Sequence, residues 1–400
     1  MMKNLLKLFL FVTIPTLIIS CSDDDDGTTP FDGESVTYDL MSVSDPSISG
    51  EATFTEQENG TVKIVLDLEG TPAGGMHPAH IHNNTAAEGG EIAISLEPVD
   101  GDTGMSTTIV SAKDDGTAIT FEQLTDYDGY INVHLSADDL STLVAQGDIG
   151  QNDLTEESLT YDLGERAVAG ISGEVTFHQR KNGEALAVIM LDNTPAGGMH
   201  PAHIHANTAA EGGEIKFTFN PVNGDTGMSM TNVSELDGGQ SFTYDDIMDY
   251  DGYVNVHLSA DDLGTIVAQG DIGQNSLTGE SLSYTLNEVA IPGISGSVMF
   301  EERMNGEALA TIMLANTPED GEHPAHIHMN SAAEGGDIAF TFTPVNGATG
   351  ISRTNVSQFD NGNPFMYSDI SGYDGYVNVH LSADDLATLV AQGNIGANAE

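Results

Sequence analysis

The sequence repeats itself at a fixed step of 123 residues. Glu34-Ser-Val-Thr-Tyr-Asp-Leu40 returns as Glu157-Ser-Leu-Thr-Tyr-Asp-Leu163 and again as Glu280-Ser-Leu-Ser-Tyr-Thr-Leu286. A step this long excludes a solenoid, whose repeats run roughly 20–50 residues. It predicts tandem domains at 34–152, 157–275 and 280–398, joined by linkers of a few residues. Each unit, at about 120 residues, is long enough to bury a core of its own.

Within a unit the patterns are those of strands. Val36, Tyr38 and Leu40 alternate with polar residues, as do Ala52 and Phe54. Val62, Ile64, Leu66 and Leu68 continue the alternation beyond Asn59-Gly60. Apolar residues at every second position bury one face of a strand. Asn-Gly between two such runs predicts a hairpin, because both central residues of a type I′ turn need positive φ. The pair returns as Asn182-Gly183 and Asn305-Gly306, and Asp100-Gly101, Asn223-Gly224 and Asn346-Gly347 mark a second turn. Many short strands with glycine-rich turns read as a sandwich. The fold class expected is all-β, with three tandem β-sandwich domains that each carry one short helix.

That helix is expected over 137–145. Ser136 stands as its N-cap, Asp139 follows three residues on, Leu140, Leu143 and Val144 share a face, and Gly147 reads as the stop. Asp138-Asp139 then falls in the first helical turn, where the helix dipole favours anions, and needs no catalytic reading.

Twelve of the 13 histidines fall in two short segments of each repeat. The first is His77-Pro-Ala-His-Ile-His82, which returns at His200–His205 and His323–His328; the second is Gly129-Tyr-Ile-Asn-Val-His134, which returns at Gly252–His257 and Gly375–His380. Strand parity puts His80 and His82 on one face and Ile81 on the other. It likewise puts Tyr130, Asn132 and His134 opposite Ile131, Val133 and Leu135. The aliphatic face belongs to the core, so His80, His82 and His134 project from the polar side, and Asn83–Gly90 is a candidate lid. His77 lies beyond Pro78, where parity cannot place it, and is a candidate fourth ligand. An H-x-H pair with one or two remote histidines suits copper, zinc or nickel, of which copper or zinc is expected here, and no thiolate is on offer. The expected ligands are therefore His77, His80, His82 and His134; His200, His203, His205 and His257; and His323, His326, His328 and His380. Asn132, Asn255 and Asn378 are expected beside them, as partners of the ring N–H groups that a metal leaves free. His178 has Thr55 and Glu301 at its repeat positions and is given no role.

The first residues read as an export signal. Lys3 and Lys7 precede an apolar run from Leu8 to Ile19 that is too short to span a bilayer. It ends Leu17-Ile-Ile-Ser-Cys21, which resembles a bacterial lipobox with Cys21 as the lipidated residue after cleavage at 20. Residues 21–33 then form an acidic linker. Ser22-Asp-Asp-Asp-Asp26 resembles the tag that sends lipoproteins to the outer face of the outer membrane; the periplasmic face is the alternative. Without residues 1–20 the chain holds 8 basic and 62 acidic side chains, a formal charge of about −54. Such a surface repels nucleic acid and gathers cations. Cys21 is the only cysteine, so no disulfide supports the domains.

The histidine segments resemble the CHRD (chordin-domain) family. Ala79-His-Ile-His82 with Gly89-Gly90, Tyr130-Ile-Asn-Val-His134 and the tail Gly147-Asp-Ile-Gly-Gln151 carry the resemblance, and Tyr253–His257 and Tyr376–His380 match its second hallmark in full. The tail lacks the family's arginine. The resemblance implies an immunoglobulin-like sandwich similar to copper/zinc superoxide dismutase, in which an H-x-H pair and a later histidine hold copper, as His80, His82 and His134 would here. The dismutase also needs a bridging histidine, further zinc ligands, a disulfide and an active-site arginine, and no unit offers that set.

Three functions from different classes follow. The first is a cell-surface lipoprotein that captures or buffers up to three copper or zinc ions. The second is an adhesion or protein-binding array, gripping a protein or glycan, with structural histidines. The third, less favoured, is a copper redox enzyme, since near-identical sites in triplicate suit capacity better than turnover.

Overall fold

The computed structural model describes residues 31–399. The expected signal peptide and Cys21 lie outside the described residues. The first domain contains β1 (Ser35–Ser42), β2 (Ser49–Glu56), β3 (Val62–Glu69), β4 (Met76–Asn83), β5 (Ile92–Asp100) and β6 (Met105–Val110). The helix α1 (Phe121–Thr125), β7 (Asp128–Ser136) and β8 (Asp139–Gly150) complete it. The strands pair antiparallel in the order β1-β2-β3-β6-β5-β4-β7-β8, and β8 returns to β1 to close a barrel. The third domain closes in the same way. In the second, the counterpart of β4 is divided at Pro201 and that of β5 between Ile215–Thr218 and Val222–Asn223, so its strands form a ten-stranded open ring. The all-β class holds, with the two layers of the expected sandwich joined at their edges.

The alternating residues fill the interior as expected. Tyr38, Leu40, Ala52, Phe54, Val62, Ile64, Leu66 and Leu68 are all buried in one core with Ile81, Ile131 and Val133. The Asn59-Gly60 turn is not type I′. Only Gly60 has positive φ (+78°), and Gln57 N–H reaches the Thr61 carbonyl at 3.0 Å across the three-residue loop Glu58-Asn59-Gly60. A type I turn closed by a left-handed glycine is the next commonest hairpin connection.

The expected helix over 137–145 is a hairpin. Ser136 pairs with Asp139, and β8 continues to Gly150. Ser136 Oγ does accept from Asp139 N–H (3.1 Å), but Asp139 in turn accepts from Ser141 and Thr142, so the polar residues that mimic a helix cap close a tight turn instead. Asp138 sits in that turn rather than in a helical one. Gly147 is not a helix stop: a Cβ there would lie 2.0 Å from the Asp39 carbonyl oxygen, so glycine is what lets β8 meet β1. Barrel closure supplies partners on both sides of β8, and this outweighs a helical pattern only three turns long. The helix of each domain lies earlier. In α1, Thr120 and Gln123 form a reciprocal capping box, and Phe121 and Leu124 enter the core. Tyr244–Met248 and Tyr367–Ile370 are its counterparts.

The first strands of the second and third domains span Leu154–Glu165 and Leu277–Glu288. They begin inside the expected linkers, so the domains follow one another with almost no free chain.

Candidate metal centre

β4 lies between β5 and β7, and the ladder sets His80 opposite Asn132 and His82 opposite Tyr130. With His134 two residues beyond Asn132, the three imidazoles meet on one side of the sheet, as parity requires. Ring centroids are 5.9 Å apart for His80 and His82 and 5.2 Å for His80 and His134. His203, His205 and His257 repeat the cluster, as do His326, His328 and His380. Each histidine offers one nitrogen, and within a triad these nitrogens lie within 4.8 Å of one another.

Backbone carbonyls decide which nitrogen is offered. His82 Nδ1 lies 2.9 Å from the Gly90 carbonyl and His134 Nδ1 lies 2.7 Å from that of Leu140. A carbonyl only accepts, so both Nδ1 atoms carry the proton and both Nε2 atoms keep their lone pair. The second domain repeats this through Gly213 (3.0 Å) and Leu263 (2.7 Å), and the third through Gly336 (2.9 Å) and Leu386 (2.7 Å). In His80, His203 and His326 the buried nitrogen without a partner is Nδ1. The Nε2 atoms of His82, His205, His257, His328 and His380 are likewise buried and unpartnered. A buried polar atom without a partner costs free energy, and a cluster of such lone pairs turned toward each other is what a cation relieves. Three nitrogens at about 2.0–2.1 Å from one ion in tetrahedral geometry lie about 3.4 Å apart, so the triads would draw together by up to about 1.4 Å to close on copper or zinc.

The electrostatics favour the neutral, ligating form of His80 and His134 and of their counterparts His203, His257, His326 and His380. Burial, then His134 and His82, push the His80 imidazole below its ordinary value, while Asp114 pulls it up. His203 is held down at about 4 by burial, His257 and His205, against Asp237. His326 is held at about 4 in the same way by burial, His380 and His328, against Asp360. Burial also lowers His134 and His257, although their carbonyl contacts act in the other direction.

The remaining expected residues lie elsewhere. His77, His200 and His323 are 1%, 1% and 0% exposed and do not join the triads. β4 runs straight through Pro78 because the extra residue sits on β5, where the register shifts between His77↔Val99 and Ala79↔Leu96. Parity therefore carries back to His77 and turns it inward with Ala79 and Ile81. Its Nδ1 meets the Leu135 carbonyl at 2.9 Å, tying the start of β4 to the end of β7. Its ring lies under Gly75, where a Cβ would come within 2.8 Å of Nε2. Asn132, Asn255 and Asn378 each accept from a glutamine on the next strand, Gln146, Gln269 and Gln392, at 2.7–2.8 Å. The carbonyls of Gly90 and Leu140 take the part expected of Asn132.

Residues 36–139 match the CHRD domain. The CHRD match spans β1 to the start of β8 and contains His80, His82 and His134. No curated protein and no solved structure matches the chain.

Sequence reasoning missed three kinds of neighbour around this CHRD site. The carbonyls have no side-chain signature. Tyr130 stacks on His82 (4.9 Å, 18°), and its hydroxyl accepts from Gly90 N–H at 3.1 Å, a contact that Tyr253 and Tyr376 repeat. Asp114 accepts from Ser95 N–H (3.0 Å) and Oγ (2.7 Å), on the residue paired with His80. Asp237 and Asp360 stand one and two repeat steps on, and that spacing was the available signal.

Proposed function

We propose that the chain is a cell-surface lipoprotein whose three histidine triads each bind one copper or zinc ion, for capture or buffering. The observation that carries the reading is the set of buried, unpartnered imidazole nitrogens converging in each domain, with the other ring nitrogen of two histidines bound to a backbone carbonyl. Carbonyl contacts of this kind orient the rings before an ion arrives and raise ligand basicity. When bound, the ion would have three protein ligands and an open position, which lets it be taken up and handed on. Three copies with the same donor set favour stoichiometric capacity. The chain's large negative charge raises the local concentration of cations. The lipobox ending in Cys21 and the acids after it support an outer-membrane, surface-exposed location. The test is the metal content of residues 22–400 by elemental mass spectrometry, after loading with copper or zinc and desalting. Near three ions of one metal per chain is expected; little or no retained metal would return the histidines to a structural role and favour an adhesion array.

A further inference from the structure

We propose that Asp148 and Asp271 are positioning residues that link the docking of each domain onto the next to the geometry of the histidine triad they stand beside. Among the described residues, the first and second triads are thereby braced by the domain that follows each, and no such contact is made at the third. The inference rests on contacts among the chain's own residues and does not depend on the metal reading.

Asp148 lies on β8 opposite Tyr130. One carboxylate oxygen accepts from Ala86 N–H at 2.7 Å, and the other pairs with Arg180 of the second domain at 2.7 Å. Ala86 belongs to the turn between β4 and β5, whose far end supplies the Gly90 carbonyl that holds His82. The turn is stiff: Thr85 Oγ1 donates to Glu88 (2.7 Å), Gly89 N–H reaches the Thr85 carbonyl (2.9 Å), and Asn84 Nδ2 reaches the Gly89 carbonyl (3.0 Å). A pull on Ala86 is therefore transmitted to Gly90. Arg180 is fully buried between the domains, where it also donates to Asn232 Oδ1 (2.9 Å) and to the Asn152 carbonyl. Asn152 in turn donates to the Asn84 carbonyl at 3.1 Å, at the base of the same turn. Asn220 of the second domain reaches its tip, at the Ala87 carbonyl (3.3 Å). The second joint repeats the arrangement, with Asp271 between Ala209 N–H (2.7 Å) and Arg303 (2.8 Å).

The repeat positions that lack the charges identify what the charges are for. One repeat step before Arg180 stands Gln57, in the first described domain; one step after Asp271 stands Asn394, in the last described domain. Asn394 still accepts from Ala332 N–H at 2.9 Å. The turn-holding oxygen is thus present in all three domains, while among the described residues the ion pair occurs where two domains meet. A buried arginine without a counter-ion is strongly unfavourable, so arginine and aspartate are expected together, as they are at both joints. His328 is also more exposed than His82 and His205, which are each 8% exposed.

Hydrogen exchange of the metal-free full chain tests the inference, read on peptides covering residues 84–90, 207–213 and 330–336. In the unaltered protein the first two turns should exchange more slowly than the third, by roughly tenfold, the difference between a hydrogen bond to a charged group and one to a neutral group. The double variant D148N/R180Q installs at the first joint the residues that stand at repeat positions 394 and 57 and leaves no charge unpaired. It should bring 84–90 to the rate of 330–336, leave 207–213 unchanged and lengthen the particle in small-angle X-ray scattering. D271N/R303Q should do the same at the second joint and serves if the first variant does not fold. Equal exchange of all three turns in the unaltered chain would overturn the proposal. So would a variant that lengthens the particle while 84–90 keeps its protection.

Discussion

Tyr130→Phe removes one oxygen and leaves the ring that stacks on His82. What is lost is the acceptor for Gly90 N–H, at 3.1 Å, and Gly90 is the residue whose carbonyl orients His82 through Nδ1. Gly90 itself is exposed, so water can replace the hydroxyl, and the net loss is that of an ordinary hydrogen bond, about 0.5–1.5 kcal/mol. If that free energy serves to hold the turn in the geometry that presents His82, affinity at the first triad should fall by about 2- to 13-fold, since 1.4 kcal/mol is a factor of ten. The effect should lie at or below the low end of the 10- to 100-fold typical of losing a partner of a metal-bound histidine, because the carbonyl remains. The assay is competition of zinc between a chelator of known affinity and a chain in which the other two triads are removed by substitution of His203, His205, His326 and His328. The His82 Nδ1 proton signal by NMR in the metal-free protein provides a second readout, and should broaden. A loss as great as that of His82→Ala would refute the reasoning, since it would make Tyr130 a ligand or a folding determinant. An unchanged affinity together with an unchanged proton signal would show that the turn does not orient His82.

His80→Ala with His82→Ala should lower bound metal from three ions to two while circular dichroism stays that of the native β domains; undiminished metal would exclude these two as ligands. Acidification should destabilise the metal-free fold through one histidine of each triad. Folding lowers the His80, His203 and His326 pKa values, the latter two to about 4. A depressed folded-state value favours the neutral ring, so this stabilisation is present above about pH 6.5 and is lost as pH falls from there toward 4. The denaturant midpoint of the native chain should therefore fall more steeply over that window than that of H80N/H203N/H326N; parallel curves would contradict it. Gly147→Ala should destabilise the first domain by about 1–3 kcal/mol, the usual cost of overpacking, because the new methyl meets the Asp39 carbonyl where β8 joins β1. Faster hydrogen exchange across β1 and β8, with the third domain as internal reference, is the expected sign, and unaltered exchange would refute the close approach.

The sequence by itself determined the features that depend on near neighbours in the chain. The 123-residue step specified three domains, and strand alternation specified which of Val62–Leu68 turn inward. The same parity placed His80, His82 and His134 on one face, because the period of a strand is fixed by its backbone and not by what it packs against. Tertiary structure decided whatever needed a second partner. Ser136–Gly147 carries signals for a capped helix and for a hairpin, and the edge of β1, more than 90 residues earlier, selected the strand. His77 turned inward because a bulge in β5 absorbed the effect of Pro78, and no residue of β4 records that bulge. The carbonyls of Gly90 and Leu140 orient their histidines from positions where side-chain identity carries no message. Asp148 and Arg180 read as two more charges in an acidic chain until the fold brings them together across a domain joint, where burial makes a single ion pair matter.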